Sequence, residues 1–228
     1  MPGWLKRGRL SYNEPEKPLT RGYIHKISFF LYLFAGLYIL CFSETELKKM
    51  AFFIYLMSSL CLYATSSVFH TTSWHDPEAE LELQKLDHCV IILQIAGTYT
   101  PVCISHMPTN AHFPNLILGT IWMLTMIGAI KSYVWRNPPK VFNVIFYFSA
   151  GLLIIPYMPI IVQHLSFFEW GLFGLGGIIY LTGGTIYGLE RPDPNPKVFG
   201  FHEIFHCCTI SANFCFFIPI ALRCLNVI

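Results

Sequence analysis

The sequence predicts an all-α polytopic membrane protein, seven transmembrane helices with the N-terminus inside and the C-terminus outside. Three observations lead there. Of 228 residues, 54% are hydrophobic and only 12% charged, against roughly 25% charged in an ordinary soluble domain. Seven apolar stretches are separated by short polar segments, and their continuity marks helices, because barrel strands alternate over about ten residues. The basic residues are unevenly placed: all but Lys48, Lys49 and Arg223 of the 15 Lys and Arg fall on the N-terminal side of the membrane, and cytoplasmic flanks are the ones enriched in them.

The spans are expected at Ile24 to Phe42, Met50 to His70, Cys89 to Met107, Leu116 to Val134, Val141 to Val162, Trp170 to Leu189 and Phe201 to Leu222. The first lacks the early position and cleavage site of a signal peptide, so it is expected to stay as an anchor. A short basic cytoplasmic segment, 1–23, then precedes one seven-helix domain, 24–222, and a short tail, 223–228, follows it. Pro101, Pro156 and Pro159 predict kinks, and Gly174, Gly176, Gly177, Gly183 and Gly184 predict close helix contact, as membrane bundles use these residues. The net charge of +2 is too mild for a nucleic-acid surface, which clusters Lys and Arg on a far more basic domain. The expected partners are membrane lipids, with a lipid substrate or ligand, and the plasma membrane is the expected location.

That topology brings three helix ends to the inner face, and they carry the residues with chemistry. Helix two ends Ser66-Ser67-Val68-Phe69-His70, with Ser66 and His70 one turn apart on one face. Helix three opens Leu86-Asp87-His88, and helix seven opens Phe201-His202-Glu203-Ile204-Phe205-His206. A spacing of four puts His202 and His206 on one side of a helix. Chemically active zinc sites have three protein ligands and an open position, so a third ligand is required, and topology nominates His70. His106, His112 and His164 fall near the outer face, and His75 lies in the second loop. His25 and His88 are on the inner side, but His88 points about 100° away from Asp87, which leaves Asp87 as the inward-facing group.

An ionisable residue at membrane depth costs roughly 2.5 to 3.5 kcal/mol on insertion scales unless it is paired or hydrated. The arrangement expected is therefore zinc held by His70, His202 and His206, with Asp87 orienting or deprotonating a water and Ser66 adding a supporting hydrogen bond. Such a site would polarise the carbonyl of a lipid amide or ester. Other readings stand beside it. The histidines can form a hydrogen-bonded packing network without metal, and Ser66 can be a helix-interface serine. His202 to His206 also satisfies H-E-x-x-H, the pattern of zinc proteases with the Glu as general base, although Thr209 and Ala212 stand where the extended form requires Gly and His. The eight cysteines include no C-x-x-C pair and read as small apolar residues.

At these residues the sequence resembles the haemolysin-III family, within the larger group of progestin and adiponectin receptors. The resemblance runs from about Lys17 to Ala221. It includes Lys17-Pro18-Leu19-Thr20-Arg21-Gly22-Tyr23-Ile24-His25, Lys85-Leu86-Asp87-His88-Cys89, Ala96-Gly97-Thr98-Tyr99-Thr100-Pro101, Gly183-Gly184-Thr185-Ile186-Tyr187 and Phe199-Gly200-Phe201-His202-Glu203-Ile204-Phe205-His206. The group's pattern S-x3-H, then D, then H-x3-H is met by Ser66, His70, Asp87, His202 and His206. In its first motif His25 fits, and Arg21 stands at the Asn position. The resemblance implies a seven-helix zinc protein with three His ligands, an Asp-held water and its N-terminus in the cytoplasm. It further implies a lipid-amide hydrolase, with ceramide as the analogous substrate, or else a receptor or a pore-forming, cytolytic protein in which zinc is structural.

Overall fold

A computed structural model describes residues 18, 20–43, 45–108, 112–135 and 138–227; most of the basic N-terminal segment lies outside them. Seven helices are long and apolar enough to cross a membrane: α1 Tyr23–Phe42, α2 Glu46–Thr71, α3 Pro77–Ser105, α4 Phe113–Val134, α5 Lys140–His164, α6 Phe167–Leu189 and α7 Phe201–Cys224. Among the described residues there is no β-strand beyond a single bridge between Asn195 and Phe199. The protein is an integral, multi-pass membrane protein.

Two helices differ from the hydropathy reading. Helix α3 starts well before Cys89, because Asp76 accepts from the Glu78 amide at 2.9 Å and Pro77 occupies the first turn; a capped polar stretch, Glu78 to Gln84, extends the helix beyond its apolar part. Asp87 therefore sits well inside α3 instead of opening it. Helix α5 is interrupted: it is α-helical over Lys140–Gly151, 3-10 over Leu152–Tyr157, α over Met158–Ile161 and 3-10 over Val162–His164. Pro156 and Pro159 lie in this stretch, and each removes a backbone donor and crowds the preceding turn.

In the most apolar stretches of α2 and α3, 56% and 61% of residues are buried, against 11% in α5. The first two are therefore central and α5 is peripheral. Phe52, Tyr55, Leu56 and Tyr63 of α2 pack with Ile92 and Ala96 of α3 and Ile220 of α7. A Cβ on Gly97 would overlap the Ser58 side chain, so glycine there lets α2 and α3 approach. Where α6 meets α7, a Cβ on Gly176 would come 2.7 Å from Phe216, and one on Gly183 would come 2.6 Å from Cys208. Gly174 and Gly177 face open space. Outward faces carry Ile27, Leu31, Phe34, Met126 and Ile130, an apolar exterior suited to hydrocarbon but not to water.

Candidate metal centre

Helix α7 is capped by Gly200, whose amide donates to Glu203 Oε2 at 2.8 Å. That cap sets the rotation of the first turns, on which His202 and His206 project toward the last turn of α2. There the Nε2 atoms of His202 and His70 are 3.3 Å apart. Ring centroids are separated by 4.8 Å for His70 and His202, 5.1 Å for His70 and His206, and 4.6 Å for His202 and His206. One nitrogen from each ring lies within 4.8 Å of the other two, and His70 and His206 are buried. Three imidazoles so placed could hold a metal ion.

Asp87 adjoins this cluster through its neighbours. The Ser66 hydroxyl, one turn before His70, faces its carboxyl. Tyr147 of α5 and Tyr187 of α6 lie within electrostatic reach of it, and the Tyr187 ring also meets His202 edge-on at 5.6 Å. The residues singled out in the sequence thus come from α2, α3 and α7 to one end of the bundle, with α5 and α6 supplying two tyrosines.

Glu203 does not face this cluster as a base. Its Oε1 accepts from Arg21 Nε at 2.7 Å, its Oε2 accepts from the Gly200 amide, and the residue is 2% exposed. Both oxygens are committed, so the H-E-x-x-H pattern here reflects a helix cap and an ion pair. The other histidines have separate roles. His88 Nδ1 lies 2.8 Å from the Gln84 carbonyl. His106 lies at the far end of α3, 3.6 Å from Glu169, where Arg223 donates to both Glu169 oxygens at 2.5 and 2.9 Å and to the His164 carbonyl at 3.2 Å.

Sequence reasoning passed over His25. It is 2% exposed and stacked on His206, centroid to centroid 4.1 Å with 29° between planes. Its position in the group's first motif was the available signal, but nothing in one helix's spacing shows that α1 lays this ring against α7. The eight cysteines are free thiols.

Fold and site together define a seven-helix membrane protein with a buried three-histidine centre at one end. The sequence profile described as haemolysin-III related matches residues 13–217, and the chain belongs to that family. It is similar to the Hemolysin-3 homolog of Bacillus subtilis (strain 168), 26% identical over 171 residues, 75% of this chain and 76% of that protein. Similarity to Hemolysin-3 of Bacillus cereus is 29% over 158 residues, covering 69% and 67% of the two chains. The Adiponectin receptor protein of Drosophila melanogaster is 24% identical over 209 residues, 83% of this chain but 47% of its own length.

Proposed function

We propose that the chain is a zinc-dependent hydrolase acting on a lipid amide or ester, with His70, His202 and His206 as ligands. The carrying observation is the 3.3 Å between the Nε2 atoms of His70 and His202. Two imidazole nitrogens bound tetrahedrally at about 2.0 to 2.1 Å from zinc would be about 3.3 to 3.4 Å apart. Three imidazoles with no fourth protein ligand grouped with them among the described residues match the donor set of sites that keep a position open for chemistry.

Zinc, when bound, supplies Lewis acidity toward a carbonyl and toward a water molecule. The chain's own residues supply the rest. Asp87 takes a proton from the attacking water on its carboxylate and returns it to the leaving nitrogen or oxygen, as a general base and then a general acid. Ser66 fixes that carboxyl, and Tyr187 borders both it and His202. Membrane lipids are the substrate source, and the plasma membrane is the location we assign. The basic flanks support a centre at the cytoplasmic face.

A receptor in which the metal ties α2 to α7 is the second reading, favoured by the name of the Drosophila relative; a lytic pore is suggested by the names of the bacterial ones. Elemental analysis of detergent-purified protein tests the site. One zinc per chain is expected in wild type, lost in His70→Ala, His202→Ala and His206→Ala and kept in Asp87→Ala. Folded wild type without stoichiometric metal would overturn the zinc reading. Asp87→Asn is expected to keep its metal and lose roughly 10²- to 10⁴-fold in ceramide hydrolysis. Metal with no lipid hydrolysis in wild type would support the receptor reading, and dye leakage from liposomes retained by Asp87→Asn would support the pore.

A further inference from the structure

Buried side-chain polar atoms that meet no hydrogen-bond partner among the described residues include His25 Nδ1 and Nε2, Gln94 Oε1, His106 Nε2 and Tyr180 Oη, whereas the Tyr32 hydroxyl lies beside those of Tyr55 and Tyr63. All except His106 surround one group. Asn213, fully buried at mid-depth of α7, donates from Nδ2 to Tyr63 Oη at 2.8 Å and to Ser59 Oγ at 3.2 Å, and its Oδ1 accepts from Tyr55 Oη at 2.7 Å and Gln94 Nε2 at 3.1 Å. Around that hub, Tyr32 and His25 of α1 meet the Tyr63 ring edge-on at 5.0 and 5.3 Å. Tyr180 of α6 lies within electrostatic reach of Tyr63.

An unsatisfied buried polar atom costs about 1 to 3 kcal/mol. Such atoms are rare in native proteins and call for a partner. Here they gather where five helices meet, inside a bundle whose exterior offers only hydrocarbon. The cluster contains no Asp, Glu, Lys or Arg, so its guest is neutral. It presents acceptors, such as Gln94 Oε1, together with tyrosine hydroxyls that both donate and accept. An acyl chain would satisfy none of these. A metal cation would satisfy the acceptors and leave the hydroxyl protons unmet. Water, making about three hydrogen bonds at a buried site, meets both needs.

We propose that Tyr32, Gln94, Tyr180 and His25 line a buried water-binding site around Asn213, at the core of the bundle and contiguous with the histidine centre. His25 joins the two, since its ring stacks on His206 and abuts Tyr63. One consequence rests on the hydrolase reading: the centre draws its water from this internal site, leaving the lipid side free for the substrate.

Tyr180→Phe decides the matter by sign. If water bonds this hydroxyl, the variant loses hydrogen bonds and its Tm falls by about 2 to 4 °C. If the hydroxyl is dry, removing it relieves an unmet group and Tm stays or rises, which overturns the proposal. Radiolytic hydroxyl-radical footprinting of wild type is expected to modify Tyr32, which is buried, because radicals form from bound water; its protection would also overturn the proposal. Both measurements are repeated in His206→Ala, so that loss of the metal and loss of the water site are separately visible. In metal-loaded protein, Tyr180→Phe is expected to keep its zinc and lose hydrolysis several-fold. Unchanged turnover would overturn the supply role.

Discussion

A histidine that ligates metal through one nitrogen is commonly aligned by a hydrogen bond from its other N–H to a carboxylate or carbonyl. His206 makes no such bond among the described residues, and the His25 ring covers its face instead. If His206 ligates a metal, stacking is what aligns it. His25→Ala is expected to weaken metal affinity about tenfold, measured by competition with a chromogenic chelator, whereas His25→Phe, which keeps a flat ring, restores most of it. Equal loss in both variants would mean that a His25 nitrogen, and not its face, does the work. His106, just past α3, shows a different effect. Burial, with the Arg223 guanidinium adding to it against the opposing Glu169 carboxylate, pushes its imidazole down to about 4. Between its unfolded value near 6.5 and about 4 the unfolded chain binds the extra proton, so stability falls as pH falls through that window. The Tm difference between wild type and His106→Gln is expected to be largest near pH 7 and to shrink toward pH 4.

At the scale of elements, α7 owes its start to a residue that spacing alone misassigns. H-E-x-x-H is legible in the sequence; the Arg21 that occupies Glu203 stands 182 positions away, and no helical periodicity reveals it. Glu203→Ala leaves the Gly200 amide and Arg21 unpaired and is expected to cost about 1 to 3 kcal/mol, read as a lowered Tm. Glu203→Gln is expected to retain metal stoichiometry; under a protease mechanism it would remove peptide hydrolysis without touching stability. The start of α3 was hidden for a related reason. Hydropathy sees where a helix is apolar, whereas Asp76 and Pro77 begin this one in a polar stretch. The interruption of α5 was legible, because Pro156 and Pro159 break a helix by their own covalent structure.

Across the whole molecule, the end opposite the histidines is closed by Arg223, paired in bidentate fashion with a fully buried Glu169 and reaching the Ser105 and His164 carbonyls. Of the three basic residues expected on the outer side, Arg223 and Lys49 therefore have carboxylate partners, Glu169 and Glu46. The orientation with the N-terminus in the cytoplasm then rests on the remaining charge asymmetry, and labelling of an N-terminal epitope only after permeabilisation is the expected outcome. Arg223→Ala leaves a buried carboxylate uncompensated and is expected to destabilise by about 3 to 5 kcal/mol, followed by thermal unfolding in detergent.

What the sequence determined by itself is the number of helices and the set of residues at one end, because apolar length and the i, i+4 period are local properties of the chain. Ser66, His70, Asp87, His202 and His206 could be named in this way. Only the tertiary structure decided that His25 lies against His206, that Glu203 is engaged with Arg21, and that Asn213 gathers tyrosines from separate helices. Those contacts join residues far apart in the chain. They depend on how each helix is rotated against its neighbours, which side-chain packing sets and which the period of any single helix leaves open.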